Sequence, residues 1–215
     1  MGTITRALVV AVVAVAAVAT LTAGAIVPAA AQTTPLLDAS DLPAGYHLGE
    51  GSPLQRTTVA ASVPTIGHCV WGTPTRVAGT PPVIWSSGFV RDAGRAANET
   101  VWQFDTPKAK RAAKAFYAQL TKTYRAATKC NPLREPDPAP GSTGPVDAGR
   151  FTRLTLGRVG DAAFGVTFVP TAGAPTSRVA IFRTADAVGT LTVSDPDVDP
   201  TEFAALARTA ADRAT

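Results

Sequence analysis

Only two cysteines, two histidines and one methionine occur among the 215 residues. That scarcity narrows the chemistry open to the chain. A thiol enzyme needs a free thiolate with a base in hydrogen-bond reach, and Cys69 and Cys130 are the sole thiols. A zinc site needs clustered ligands, and neither C-x-x-C nor H-x-x-H spacing is present. The Gly-x-Ser-x-Gly and Ser-x-x-Lys signatures of serine nucleophiles are absent. So are the Walker loop and the G-x-G-x-x-G fingerprint. Blocks of like charge are missing too, for the formal net charge is only +4. The one basic cluster, Lys108 to Arg111 with Lys114, opens a helix and reads as a solvated face rather than a nucleic-acid surface. Asp195, Asp197 and Asp199 lack the glycine turn and distal glutamate of a calcium loop and are interrupted by Pro196 and Pro200. A turn leading into a capped helix explains them better. The expectation is a chain with no catalytic residues, no metal, no cofactor and no nucleic-acid partner.

What is present starts with an apolar leader. One early arginine, Arg6, precedes a run of Ala, Val and Leu, and Ala29-Ala30-Ala31 supplies an A-x-A exit, the parts of a secretory signal peptide. Its strongest apolar stretch, Ala7 to Leu21, is short against the about 20 residues of a spanning helix. Residues 1–31 are therefore expected to direct export, with cleavage after Ala31. Uncleaved, they would serve as a membrane anchor, the only route to membrane contact. Losing Arg6 with the leader takes the net charge from +4 to +3. Residues 32–42 read as a polar lead-in and 43–215 as a single domain, a length that suits one.

Within that domain, residues 44–82 are rich in Gly, Pro, Ser and Thr and read as irregular, with one short strand around Thr58 to Val63. "VIWSSGFVRD" and "ETVWQFDT" alternate in polarity and read as a hairpin turning at "AGRAAN". Thr106-Pro107 opens a helix with an apolar stripe of Ala109, Ala112, Ala113, Phe116, Leu120 and Tyr124. Residues 131–149 read as a long surface loop, a candidate lid. Four strands follow, with Phe164, Val166 and Phe168 facing inward and a turn at Thr184-Ala185-Asp186. Asp199 and Pro200 then open a final helix with a buried stripe of Phe203, Leu206, Ala207 and Ala210. Short turns between consecutive strands imply antiparallel pairing. The expected fold is α+β: an antiparallel sheet with helices packed on one face and one disulfide.

An exported chain reaches an oxidising compartment, where a lone thiol pair ends as a disulfide. Cys69 and Cys130 are expected to be joined, with Trp71 covering the bond. His68 is then no base for Cys69, because neighbours on an extended segment point to opposite sides.

"DLPAGY", "HCVWG", "FDTPKAKRAAKAFYAQL" running to "KC", "RVGDAAFGVTF" and "RVAIFRTADAVGTLTVSD" before a final helix together resemble the PknH-like extracellular sensor domain family of actinobacteria. The resemblance covers about Leu36 to Arg213. It implies an antiparallel sheet beside a ligand-binding cleft, in a domain found on receptor kinases or as secreted and lipid-anchored proteins. The chain departs from the pattern in having one cysteine pair where many members have two, and in lacking the lipoprotein cysteine and a kinase domain.

The expected role is an exported, non-catalytic, sensor-like or ligand-binding domain of the cell envelope. Its cleft between sheet and helices would take a small molecule, lipid or glycan through Trp85, Trp102, Phe116 and Tyr117. The rival readings are an envelope protein that binds another protein, and a hydrolase with an unrecognised site.

Overall fold

The structure, a computed structural model, describes residues 34–50, 54–56, 61–77, 82–104, 106–136, 146–171 and 174–215. The expected leader and part of the proline-rich segment lie outside them. Among the described residues eleven strands form one sheet: β1 (His47–Leu48), β2 (Leu54–Arg56), β3 (Ser62–Gly67), β4 (Val70–Arg76), β5 (Val83–Arg91), β6 (Arg95–Gln103), β7 (Leu133–Glu135), β8 (Val146–Leu154), β9 (Ala162–Pro170), β10 (Ser177–Arg183) and β11 (Ala187–Ser194). Helix α1 (Pro107–Ala127) follows β6, and α2 (Pro200–Arg213) ends the chain. The sheet runs β1-β5-β6-β11-β10-β9-β8-β7-β4-β3, with β2 also on β5. Among the described strands all pairings are antiparallel except β4 with β7.

The α+β class, the antiparallel pairing and the single disulfide are as the sequence suggests. The placement of the helices is not. Along β10, Ala180 and Phe182 belong to the cluster that buries α2, while Val179 and Ile181 belong to the cluster that buries α1. Alternate residues of a strand face opposite sides, so the two helices cover opposite faces of the sheet. The reason is visible in β10 itself, whose "VAIF" is buried throughout. A strand apolar on both faces needs cover on both.

On the α1 face, Ala113, Phe116, Leu120 and Tyr124 are buried together with Trp102, Phe164, Val166 and Ile181. The far end of the sheet returns to the same helix, where the Thr123 hydroxyl donates to the Pro64 carbonyl of β3 at 2.9 Å. On the α2 face, Phe203, Leu206, Ala207 and Ala210 pack on Val101, Leu191 and Val193. The Asp199 carboxylate caps α2 by accepting from the amides of Thr201 and Glu202. Residues 34–42, expected as a lead-in, are part of this core: Leu36 and Leu37 are fully buried in it, beside Leu42 and Tyr46.

Two further expectations are corrected. The stretch 44–82 is not irregular, since it supplies β1 to β4. Its strand begins at Ser62, and 58–60, part of the expected one, lie outside the described residues. The 131–149 loop contains β7 and the start of β8, with Leu133 wholly buried. Its middle, 137–145, also lies outside the described residues.

Candidate functional site

Cys69 and Cys130 are joined, their Cα atoms 5.4 Å apart. His68 and Cys69 form the two-residue turn between β3 and β4, both with positive φ, 51° and 60°. This is the left-handed geometry of a tight hairpin, in residues that adopt it less readily than Asn-Gly. The extended geometry expected for His68 and Cys69 is therefore replaced by a turn tip, with His68 exposed. The bond fixes that tip to the end of α1, and the Cys69 carbonyl accepts from the Arg134 amide of β7 at 2.8 Å. Trp71 packs edge-on to Tyr124 and Phe151, each with centroids 6.1 Å away, and joins the cluster containing both cysteines.

The four aromatic residues expected to line a cleft do not come together. Trp85 faces the α2 side, and its indole N–H donates to the Gln103 amide oxygen at 2.7 Å. Trp102 faces the α1 side and meets Phe116 edge-on at 5.1 Å. The cause is register: Trp85 lies opposite Val101 and Ile84 opposite Trp102. Trp85, Trp102 and Phe116 are 5%, 3% and 1% exposed, so all three are core. Tyr117 differs. It is half-buried at the rim of the α1 cluster.

Around that rim stand three arginines that sequence reasoning did not single out. The Arg153 guanidinium lies over the Phe164 ring at 4.0 Å, and that of Arg125 approaches the same ring at 5.3 Å. Such contacts with an aromatic face are attractive. Arg183 sits on the same face of the sheet, two residues beyond Ile181, which lies opposite Phe164. Burial raises the Tyr117 hydroxyl above its ordinary value, and the charges of Arg125, Arg183 and Arg153 pull it back. Three cations from α1, β8 and β10 thus act on one phenol. Arg183 has a distant carboxylate in Asp161, 3.9 Å away. Among the described residues Arg125 and Arg153 have none. Local spacing could not show this cluster, because it exists only once β8, β9 and β10 are in register.

Two polar groups of the opposite face were also missed. Glu99 is 1% exposed; one carboxyl oxygen accepts from the Leu37 amide at 2.6 Å, and the other has no partner among the described residues. Ser87, directly opposite it on β5, has a buried and likewise unpartnered hydroxyl. Burial raises the Glu99 carboxyl from 4.5 to about 8, against the Leu37 amide and Arg213, with Asp41 adding to the rise. A glutamate in phase with Ala97 and Val101, both fully buried, was the available signal. Asp195 is buried as well. Burial alone would raise it, but the Asp197 amide, the Tyr46 hydroxyl, Arg95 and Arg91 outweigh that and hold it below the usual carboxylate range.

The three aspartates before α2 have separate duties: Asp195 pairs with Arg91 and Tyr46, Asp197 with Arg95, and Asp199 with the helix amides. Asn98, which with Glu99 and Thr100 spells an Asn-x-Thr glycosylation sequence, lies within β6 between β5 and β11. No described helix is long and apolar enough to cross a membrane. The chain matched no protein-family model, no curated protein and no solved structure.

Proposed function

We propose that this is an exported, sensor-like ligand-binding domain of the bacterial cell envelope with no catalytic role, of the kind its resemblance to the PknH-like extracellular sensor domains implies. Its working surface is the rim where α1 crosses β8 to β10, around Tyr117. One observation carries the reading. Of the four aromatic residues expected to bind, Tyr117 alone is accessible, at the edge of the α1 cluster where Arg125 and Arg153 lie against Phe164 and, with Arg183, act on its hydroxyl. Accessible aromatic surface with convergent polar groups is the usual make-up of a small-molecule site. The disulfide supports export, since such bonds persist in oxidising compartments. Both thiols are consumed in it, and His68 is at an exposed turn tip, which leaves the thiol-enzyme reading without a nucleophile.

The test is a nitrogen-15 chemical-shift titration of the oxidised protein with cell-envelope lipid and glycan fractions. Saturable shifts are expected at Tyr117, Arg125, Arg153 and Arg183. If no fraction moves these signals, the rim is not a binding surface and the reading fails.

A further inference from the structure

We propose that the rim between α1 and strands β8 to β10 binds a phosphate-bearing anion, gripped by Arg125, Arg153 and Arg183. The inference rests on the ligand-binding reading above and gives that site a ligand class.

The geometry begins with Phe164. Its ring is approached by two guanidiniums at 4.0 and 5.3 Å, so their central carbons are no further apart than the sum of those distances. Like charges at that separation repel, the more so beside an apolar face where the effective dielectric falls below that of water. Nothing among the described residues neutralises Arg125 or Arg153. Asp161, the one carboxylate paired with the cluster among the described residues, is half-exposed and lies 3.9 Å from Arg183, too far to hydrogen-bond. The cluster therefore carries an excess of positive charge that an outside anion would offset.

The identity of that anion follows from the donors. One carboxylate is saturated by one guanidinium fork, whereas three forks on three separate elements match a tetrahedral group with several charged oxygens. Clusters of arginine are a recurring solution for phosphate recognition. The cation–π contacts with Phe164 hold two of the guanidiniums without using their N–H groups, leaving those donors for the ligand. Arg125 and Arg153 are exposed, so the approach is open. The phosphate could belong to a lipid headgroup or to a soluble molecule, and the chemistry is common to both.

The oxidised protein is titrated with inorganic phosphate, against sodium chloride at matched ionic strength, while the arginine side-chain Nε–H and backbone amide signals are followed. In parallel it is sedimented with phosphatidylcholine vesicles with and without phosphatidic acid. Expected are saturable phosphate-specific shifts at Arg125, Arg153 and Arg183. Arg125→Gln with Arg153→Gln should weaken binding at least about tenfold, since each lost charge-assisted contact is a substantial part of the grip. The charge-matched pair Arg158→Gln with Arg208→Gln, both exposed and flanked by residues of the α2 cluster on the other face of the sheet, should bind as before. The single variants serve if the double one does not fold.

Vesicle binding that needs phosphatidic acid and is competed by phosphate assigns a headgroup. Phosphate binding without vesicle binding assigns a soluble phosphate compound. The proposal is overturned if phosphate moves the signals no more than chloride does, or if the charge-matched pair weakens binding equally. If phosphate fails while neutral glycans or lipids still shift Tyr117, only the ligand class is wrong. If none does, the binding reading falls with it.

Discussion

Replacing Glu99 by glutamine should make the fold more stable above neutral pH and nearly unchanged in the acid range. The Glu99 carboxyl titrates at 4.5 under ordinary exposure and at about 8 in the fold, chiefly because it is buried. Between those two values the unfolded chain has released the proton and the folded chain retains it. Stability must therefore fall as pH rises through this window and level off above it. Each pKa unit corresponds to about 1.4 kcal/mol. The two and a half units between 4.5 and 7 thus cost about 3 kcal/mol at pH 7, and the whole window about 5 kcal/mol well above pH 8. Against a total of about 5–15 kcal/mol for a domain, that is a large penalty.

Glutamine has nearly the same shape, keeps an oxygen for the Leu37 amide and never ionises. Any packing difference it introduces is independent of pH, so only the pH-dependent part of the comparison reports on ionisation. Urea unfolding followed by tryptophan fluorescence, at intervals from about pH 4.5 to 8.5, gives both curves. The stability difference between glutamine and glutamate should widen by about 3 kcal/mol from pH 4.5 to 7. A difference that stays flat would mean that Glu99 is ionised in the fold, and the argument from burial would be wrong.

Two further outcomes follow from the packing. Opening the Cys69–Cys130 bond by Cys69→Ala with Cys130→Ala should cost about 4 kcal/mol, the chain-entropy value for a loop of this length; the sequence separation is 61. Urea midpoints of the two proteins measure it, and a loss below about 1 kcal/mol would show that the β3–β4 hairpin holds itself. Gly189→Ala should destabilise by about 1–3 kcal/mol through overpacking, because an added Cβ would overlap the Phe182 ring lying across from it on β10. A thermal melt checks this, and an unchanged midpoint would show that the ring can move aside.

The elements with a strong local period are legible in the sequence alone. The stripe of α1 from Ala113 to Tyr124, the cap and buried face of α2, and the β10–β11 hairpin at Thr184 all stand where periodicity puts them. The strands of residues 47–76 escape because they are short and broken by Pro64, Gly67, Gly72 and Pro74. Their support is non-local: a disulfide to the end of α1 and a hydroxyl of α1 on the Pro64 carbonyl. The aromatic residues fail for a different reason. Their faces depend on the length of the turn after β5, which the sequence suggests at "AGRAAN" but which occupies Asp92–Gly94. A shift of one residue in register moves every side chain to the other face. Tyr117 can be picked out on its helix, whereas two of its three arginine neighbours come from strands whose register no local pattern reveals.

The burial of Leu36 and Leu37 has a practical side for anyone who would express or graft this protein. A chain begun at residue 43, the start that composition recommends, would leave the Glu99 carboxyl facing water where a leucine-rich ribbon belongs. It would also deprive Arg213 of the acidic pair Asp38 and Asp41 that it clasps. The short ribbon ahead of β1 is thus masonry, not tether, and whatever is fused upstream must join at or before Thr34.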